Sequence, residues 1–109
     1  MGDRANVLVK DGANQVYLYT HWSGEELPKT LQTALKRKQR WDDSYYLARI
    51  IFCQMVKGVE DKETGYGISS IVGDGDDRIL TVDIEEQKVR WKAKAASFND
   101  FIKMTDVSW

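Results

Sequence analysis

Residues 16–35, VYLYTHWSGEELPKTLQTAL, change hydrophobic period partway through, and that change decides the fold class. From Val16 to His21 the residues alternate with period two. A strand here sets Val16, Leu18, Thr20 and, if it runs on, Trp22 on one face, with Tyr17, Tyr19 and His21 on the other. From Leu27 the pattern becomes helical: Leu27, Leu31, Ala34 and Leu35 fall at i, i+4, i+7 and i+8, one stripe of an amphipathic helix. Pro28 suits the first helical turn, where a missing N–H removes no bond. Ser23 to Glu26 resemble a capping box, but a helix begun there would place Pro28 too deep, so the helix is predicted from near residue 27.

Upstream, NVLVK at 6–10 and the Gly- and Asn-containing DGAN at 11–14 make a β-hairpin with the strand just described. Downstream, RWDDSYYLARIIFCQMVKG at 40–58 predicts a second helix with Asp42 or Asp43 as N-cap and Gly58 as its stop. Leu47, Ile50, Ile51, Met55 and Cys53 are its expected core residues, with Cys53 a buried small hydrophobe. The branched residues of ARIIFCQMV also permit a strand, but length and caps favour the helix. Period two then returns in GYGISSIV at 65–72 and DRILTVDI at 77–84, read as strands joined by a GDGD hairpin turn, and EEQ turns into a third strand, KVRWKA. Ser97, with Asp100 three residues on, caps a short last helix, FNDFIKM. The expected fold is a single α+β domain over 1–109, ββααβββα, with about five mostly antiparallel strands and two helices on one face.

Composition narrows the function classes. A hydrophobic share of 42% with 30% charged residues is that of an ordinary globular protein with a core, not of a disordered chain. One Cys and one His supply neither an internal disulfide nor a zinc site, so no metal or cofactor is expected, and reducing cytoplasm is the natural setting. The opening residues lack a long apolar segment, and RIIFCQMV is too short and interrupted to span a bilayer, so no membrane role is expected. Net charge is −1 but unevenly spread. Residues 29–49 carry six bases against two acids, and residues 60–86 carry nine acids against two bases, a dipole able to steer a charged partner.

No catalytic constellation stands out. His21 has the chemistry of a general base, but no nucleophile or orienting carboxylate is tied to it by spacing. GDGDD at 73–77 fails as a calcium loop, because Arg78 and Ile79 stand where a ligand and a glycine are needed. TGYG at 64–67 lacks the Gly-Lys-Ser/Thr close of a phosphate loop. What remains is a binding surface built from Tyr17, Tyr19 and His21, with Arg4 and Arg49 nearby, and with Trp22, Trp41 and Tyr66 as further candidate ligand- or partner-binding residues. Arg49 interrupts an apolar helix and should meet an acid or an anionic ligand. The basic run KRKQRW at 36–41, with Trp41 interleaved, is the candidate for phosphate or nucleic acid.

The pattern MGDRANV…VYLYTHWSG…LP, carried by Gly2, Arg4, Tyr19, His21, Trp22 and Gly24, resembles small uncharacterised phage, prophage and bacterial proteins that open Met-Gly-x-Arg and bear a Tyr-x-His-Trp-x-Gly motif. The resemblance implies a phage or mobile-element accessory protein in the host cytoplasm. Such a protein would counter host defence in an anti-CRISPR-like way, and the shared face of Tyr17, Tyr19 and His21 without a catalytic constellation points to a non-enzymatic, homo-oligomeric binding module. Its partner would be a host defence protein or a nucleotide-like small ligand. The alternative expectation is a small hydrolase using His21, or a nucleic-acid-binding protein using residues 36–41.

Overall fold

Gly12, at φ 63°, takes the left-handed conformation that closes the hairpin between β1 (Ala5–Asp11) and β2 (Asn14–Thr20). A computed structural model describes residues 2–73 and 78–107. Their hydrophobic residues form one core cluster. The register sets Ala5, Val7 and Val9 against Thr20, Leu18 and Val16 on the face that the helices cover.

Beyond a short 3₁₀ turn at Gly24–Glu26, α1 runs Leu27–Leu35 with Pro28 in its first turn, as its spacing predicts, and Leu27, Leu31, Ala34 and Leu35 are all buried. In α2 (Ser44–Met55) the cap is Asp43, whose carboxylate accepts from the Tyr45 and Tyr46 N–H groups at 3.1 and 3.4 Å. Gly58, at φ 87°, follows the helix end. Leu47, Ile50 and Ile51 are buried and Met55 packs half-buried, but Cys53 is exposed. Cys53 lies two residues past Ile51 and so turns off the stripe that the i, i+3, i+4 set defines.

The remaining strands are β3 (Tyr66–Ser69), β4 (Ile79–Asp83), β5 (Lys88–Trp91) and β6 (Lys94–Ser97), followed by α3 (Phe98–Lys103). Ser97 caps α3 by accepting from the Asp100 N–H. Gln32 ties α1 to this last helix, its buried amide donating to the Phe101 and Met104 carbonyls at 3.0 and 2.8 Å.

The α+β class holds, while strand number and order differ from the sequence expectation. The sheet has six strands in the order β3-β2-β1-β4-β5-β6. KVRWKA is not one strand: it turns at Lys92, φ 57°, and KAAS pairs back as β6. Nor do β3 and β4 form a hairpin. They lie on opposite sides of the β1–β2 pair, and β4 runs parallel to β1 with Val7 opposite Leu80 and Val9 opposite Val82. This pairing sets β4 between β1 and β5, with a strand on each edge, and buries Leu80 and Val82 on the face that the helices cover. Parallel strands are not joined by a tight turn, so the expected β3–β4 hairpin does not form. The expected turn at Asp74–Asp77 lies outside the described residues.

Candidate binding site

Strand alternation separates the two sides of β2. Leu18 and Thr20 are buried in the core, while Tyr17 and Tyr19 are half-buried on the helix-free face. β2 ends at Thr20, and past it the chain is held from both sides: the Asp3 N–H donates to the His21 carbonyl at 2.7 Å, and the His21 N–H donates to the Gly65 carbonyl at 2.8 Å. His21 therefore joins the N-terminal segment to the start of β3.

Its imidazole is equally constrained. Nδ1 lies 3.0 Å from the Tyr19 hydroxyl and 3.3 Å from Arg4 Nε. A guanidinium N–H only donates, so Nδ1 carries the lone pair and the ring proton sits on Nε2. On that side lies Gly2, where a Cβ would stand 2.8 Å from Nε2. The ring of His21 meets Trp22 edge to face at 5.4 Å, and Trp22 meets Tyr66 the same way at 6.4 Å. Gly65, at φ 100°, makes that row possible, since any side chain there would fall inside the Trp22 ring. Trp22 sits with neither face of β2, because it lies two residues beyond the strand's end, and its ring stays 51% exposed.

The corner is pinned electrostatically. Asp3 accepts from the Glu25 N–H at 3.0 Å and is ion-paired to Arg78, and these two partners hold its carboxyl below the usual carboxylate range. The Gly24 N–H donates to the Asp3 carbonyl, so residues before β1 and after β2 are locked together. Neither Asp3 nor Arg78 stands out in the sequence, where they lie seventy-five positions apart.

Of the residues singled out from sequence, the fold gathers Arg4, Tyr19, His21, Trp22 and Tyr66 into one corner, with Tyr17 two positions along the same strand. Trp41 and Arg49 lie elsewhere. Trp41 packs edge to face on Phe98 at 5.4 Å and donates to the Leu35 carbonyl, a structural role. Among the described residues Arg49 meets no acid: it is exposed on α2, with its guanidinium 3.9 Å from the Cys53 sulfur. Its position off the buried stripe lets the guanidinium reach solvent, which removes the cost that would have demanded a partner.

Sequence reasoning passes over the apolar residues beside this corner. β3 is a sheet edge, with Ile68 61% and Ile71 73% exposed and Val72 also exposed. Alternation does not flag them, since two serines interrupt ISSIV. The antiparallel ladder that begins at the His21–Gly65 bond turns the main-chain groups of Gly67 toward β2 and those of Tyr66 and Ile68 outward. Asn6, Tyr19, Gly67, Ser69 and the two isoleucines line a shallow depression of about 370 Å³ along the same edge. A wider groove of about 620 Å³ between α1 and the chain after α3 is lined by polar side chains such as Lys29, Thr33 and Gln54.

Among the described residues no group of three or more His, Cys, Asp or Glu side chains is placed to hold a metal ion, and no helix is long and apolar enough to cross a membrane. Comparison with protein-family models, curated proteins and solved structures finds no match to the chain.

Proposed function

We propose that the protein is a non-enzymatic binding module that captures an extended segment of another protein on the β3 edge. One observation carries this reading: Ile68 on β3, Ile71 and Val72 just after it and Trp22 beside its start are exposed large apolar side chains, at a strand whose outward main-chain groups are, among the described residues, unpaired within the sheet. Such edges template strand addition, in which main-chain bonds supply affinity and alternate side chains supply specificity. The Asp3–Arg78 pair and the packed His21 ring hold the neighbouring aromatic row in place, so little order has to be gained on binding.

Charge selects the partner. Glu60, Asp61 and Glu63 are exposed ahead of β3, and Asp74, Asp76 and Asp77 follow it in sequence. An apolar segment flanked by Lys or Arg complements this edge, whereas a second copy joined edge to edge would set acidic segments against each other. If the chain is the phage or mobile-element accessory protein that its opening motif resembles, the partner is a host defence protein and this edge is its inhibitor surface.

The test is affinity capture from host lysate with native mass spectrometry of the bound species. The wild type should retain one protein partner, and Ile68→Asp and Ile71→Asp should each weaken it about thirtyfold, the loss typical of a hot-spot residue. Retention of the partner by both variants, or a bound small molecule that Tyr19→Ala releases, would contradict the proposal.

A further inference from the structure

The loop between α1 and α2 and the first turn of α2 lie outside the β3 edge and carry a different chemistry. Lys36, Arg37, Lys38 and Arg40 follow α1 within five residues, and Arg49 stands on α2. Among the described residues none of these five makes an ion pair: Arg37 donates to the Gln54 side-chain carbonyl, and the ion pairs present belong to Arg78 and Arg90. The two acids nearby, Asp43 on the α2 cap and the exposed Asp42, form no ion pair with these five among the described residues and leave the cluster net positive.

Two features distinguish this cluster from an ordinary solvated face. First, Lys38 and Arg40 hold left-handed backbone conformations, φ 54° and 58°, in a stretch that contains no glycine. Residues with a Cβ adopt that conformation at a cost; Gln87 and Lys92 do so in the turns that flank β5, whereas Lys38 and Arg40 do so in the connection between two helices. Here the shape folds Arg40 back so that its guanidinium lies 4.8 Å from the Tyr46 ring centre. Second, aromatic rings stand among the cations. Tyr45 is 81% exposed and Tyr46 half-exposed, and Gln39, Arg40, Tyr46, Arg49 and Ile50 line a cleft of about 380 Å³.

We infer that this surface binds single-stranded nucleic acid, with Arg40 and Arg49 on successive phosphates and Tyr45 stacked on a base. Cations alone would suit any polyanion. The exposed ring beside them favours a ligand whose charges alternate with flat apolar surfaces, as nucleotides do and as phosphopeptides and lipid headgroups do not. A duplex is disfavoured, because its bases are already stacked and unavailable to Tyr45.

The experiment is fluorescence anisotropy with a labelled oligo(dT) of about 12 nucleotides, within the length that small single-strand sites cover. The wild type should bind with an affinity that falls as salt rises, log K against log salt having a slope of about −1.4 for the two phosphates engaged. Arg40→Gln with Arg49→Gln should weaken binding at least tenfold and flatten that slope. Tyr45→Ala should also weaken it about tenfold while leaving the slope unchanged, which separates stacking from charge. All three side chains are exposed, and unchanged thermal melts of the variants establish that they fold. No binding at low salt would overturn the inference, as would oligo(dT) affinity that Tyr45→Ala leaves intact, or binding to phosphatidylserine vesicles but not to oligo(dT).

Discussion

At the level of single residues, the aromatic corner owes its geometry to groups with little chemistry of their own. Gly2 and Gly65 leave room for the His21 and Trp22 rings, and Asp3 anchors the N-terminal segment that carries Arg4. The cluster was partly legible: alternation in VYLYTH correctly parts Leu18 and Thr20 from Tyr17 and Tyr19. The pin was not, because an ion pair between Asp3 and Arg78 has no local spacing to betray it. It has a pH signature. The Glu25 N–H and Arg78 lower the folded-state value of Asp3, so its contribution is present above about pH 4, where an unfolded aspartate is ionised, and is lost as pH falls through the lower folded value. Asp83 acts in the same sense: burial pushes its carboxyl up, but the Glu86 N–H and Arg90 outweigh this and hold it low. Thermal melts between about pH 7 and pH 3 should therefore show Tm falling in acid. Asp3→Asn should lower Tm at neutral pH and shrink the acid-induced fall. An acid dependence equal to the wild type's would contradict the role given to Asp3.

At the level of elements, those defined by local signals were readable and those defined by distant partners were not. The 3.6-residue period of about two turns placed α1, Asp43 and Ser97 marked the N-caps they occupy, and Gly58 falls two residues past Val56, the α2 C-cap. β6 was hidden, since Lys94 to Ser97 offer no branched or large apolar residue and become a strand only by pairing with β5. Parallel pairing of β1 with β4 was hidden for a related reason: no turn joins them, and an apolar strand reads alike beside any neighbour. The α2 cap is directly testable. Asp43→Ala frees two N–H groups and should cost about 1 kcal/mol in urea denaturation with unchanged m-value. Stability equal to the wild type's would show that the cap bonds contribute nothing net.

At the level of the whole molecule, the helices cover one sheet face and leave the β3 edge as the place where apolar side chains meet solvent beside unpaired main-chain groups. The exposed acids Glu60, Asp61 and Glu63 precede that strand and the basic cluster follows α1, so the charge asymmetry seen in the sequence divides between two segments with different proposed ligands. The fold explains why composition alone could not locate either: exposure of Ile68 and Ile71 follows from β3 being last in the sheet, a fact set by strand pairing and not by local pattern. Amide hydrogen exchange on the free and partner-saturated protein tests the central claim most directly. Binding should slow exchange at the outward-facing Tyr66 and Ile68 amides, with the Tyr17 and Tyr19 amides unchanged. Protection confined to other segments, with Tyr66 and Ile68 exchanging as fast as in the free protein, would contradict it.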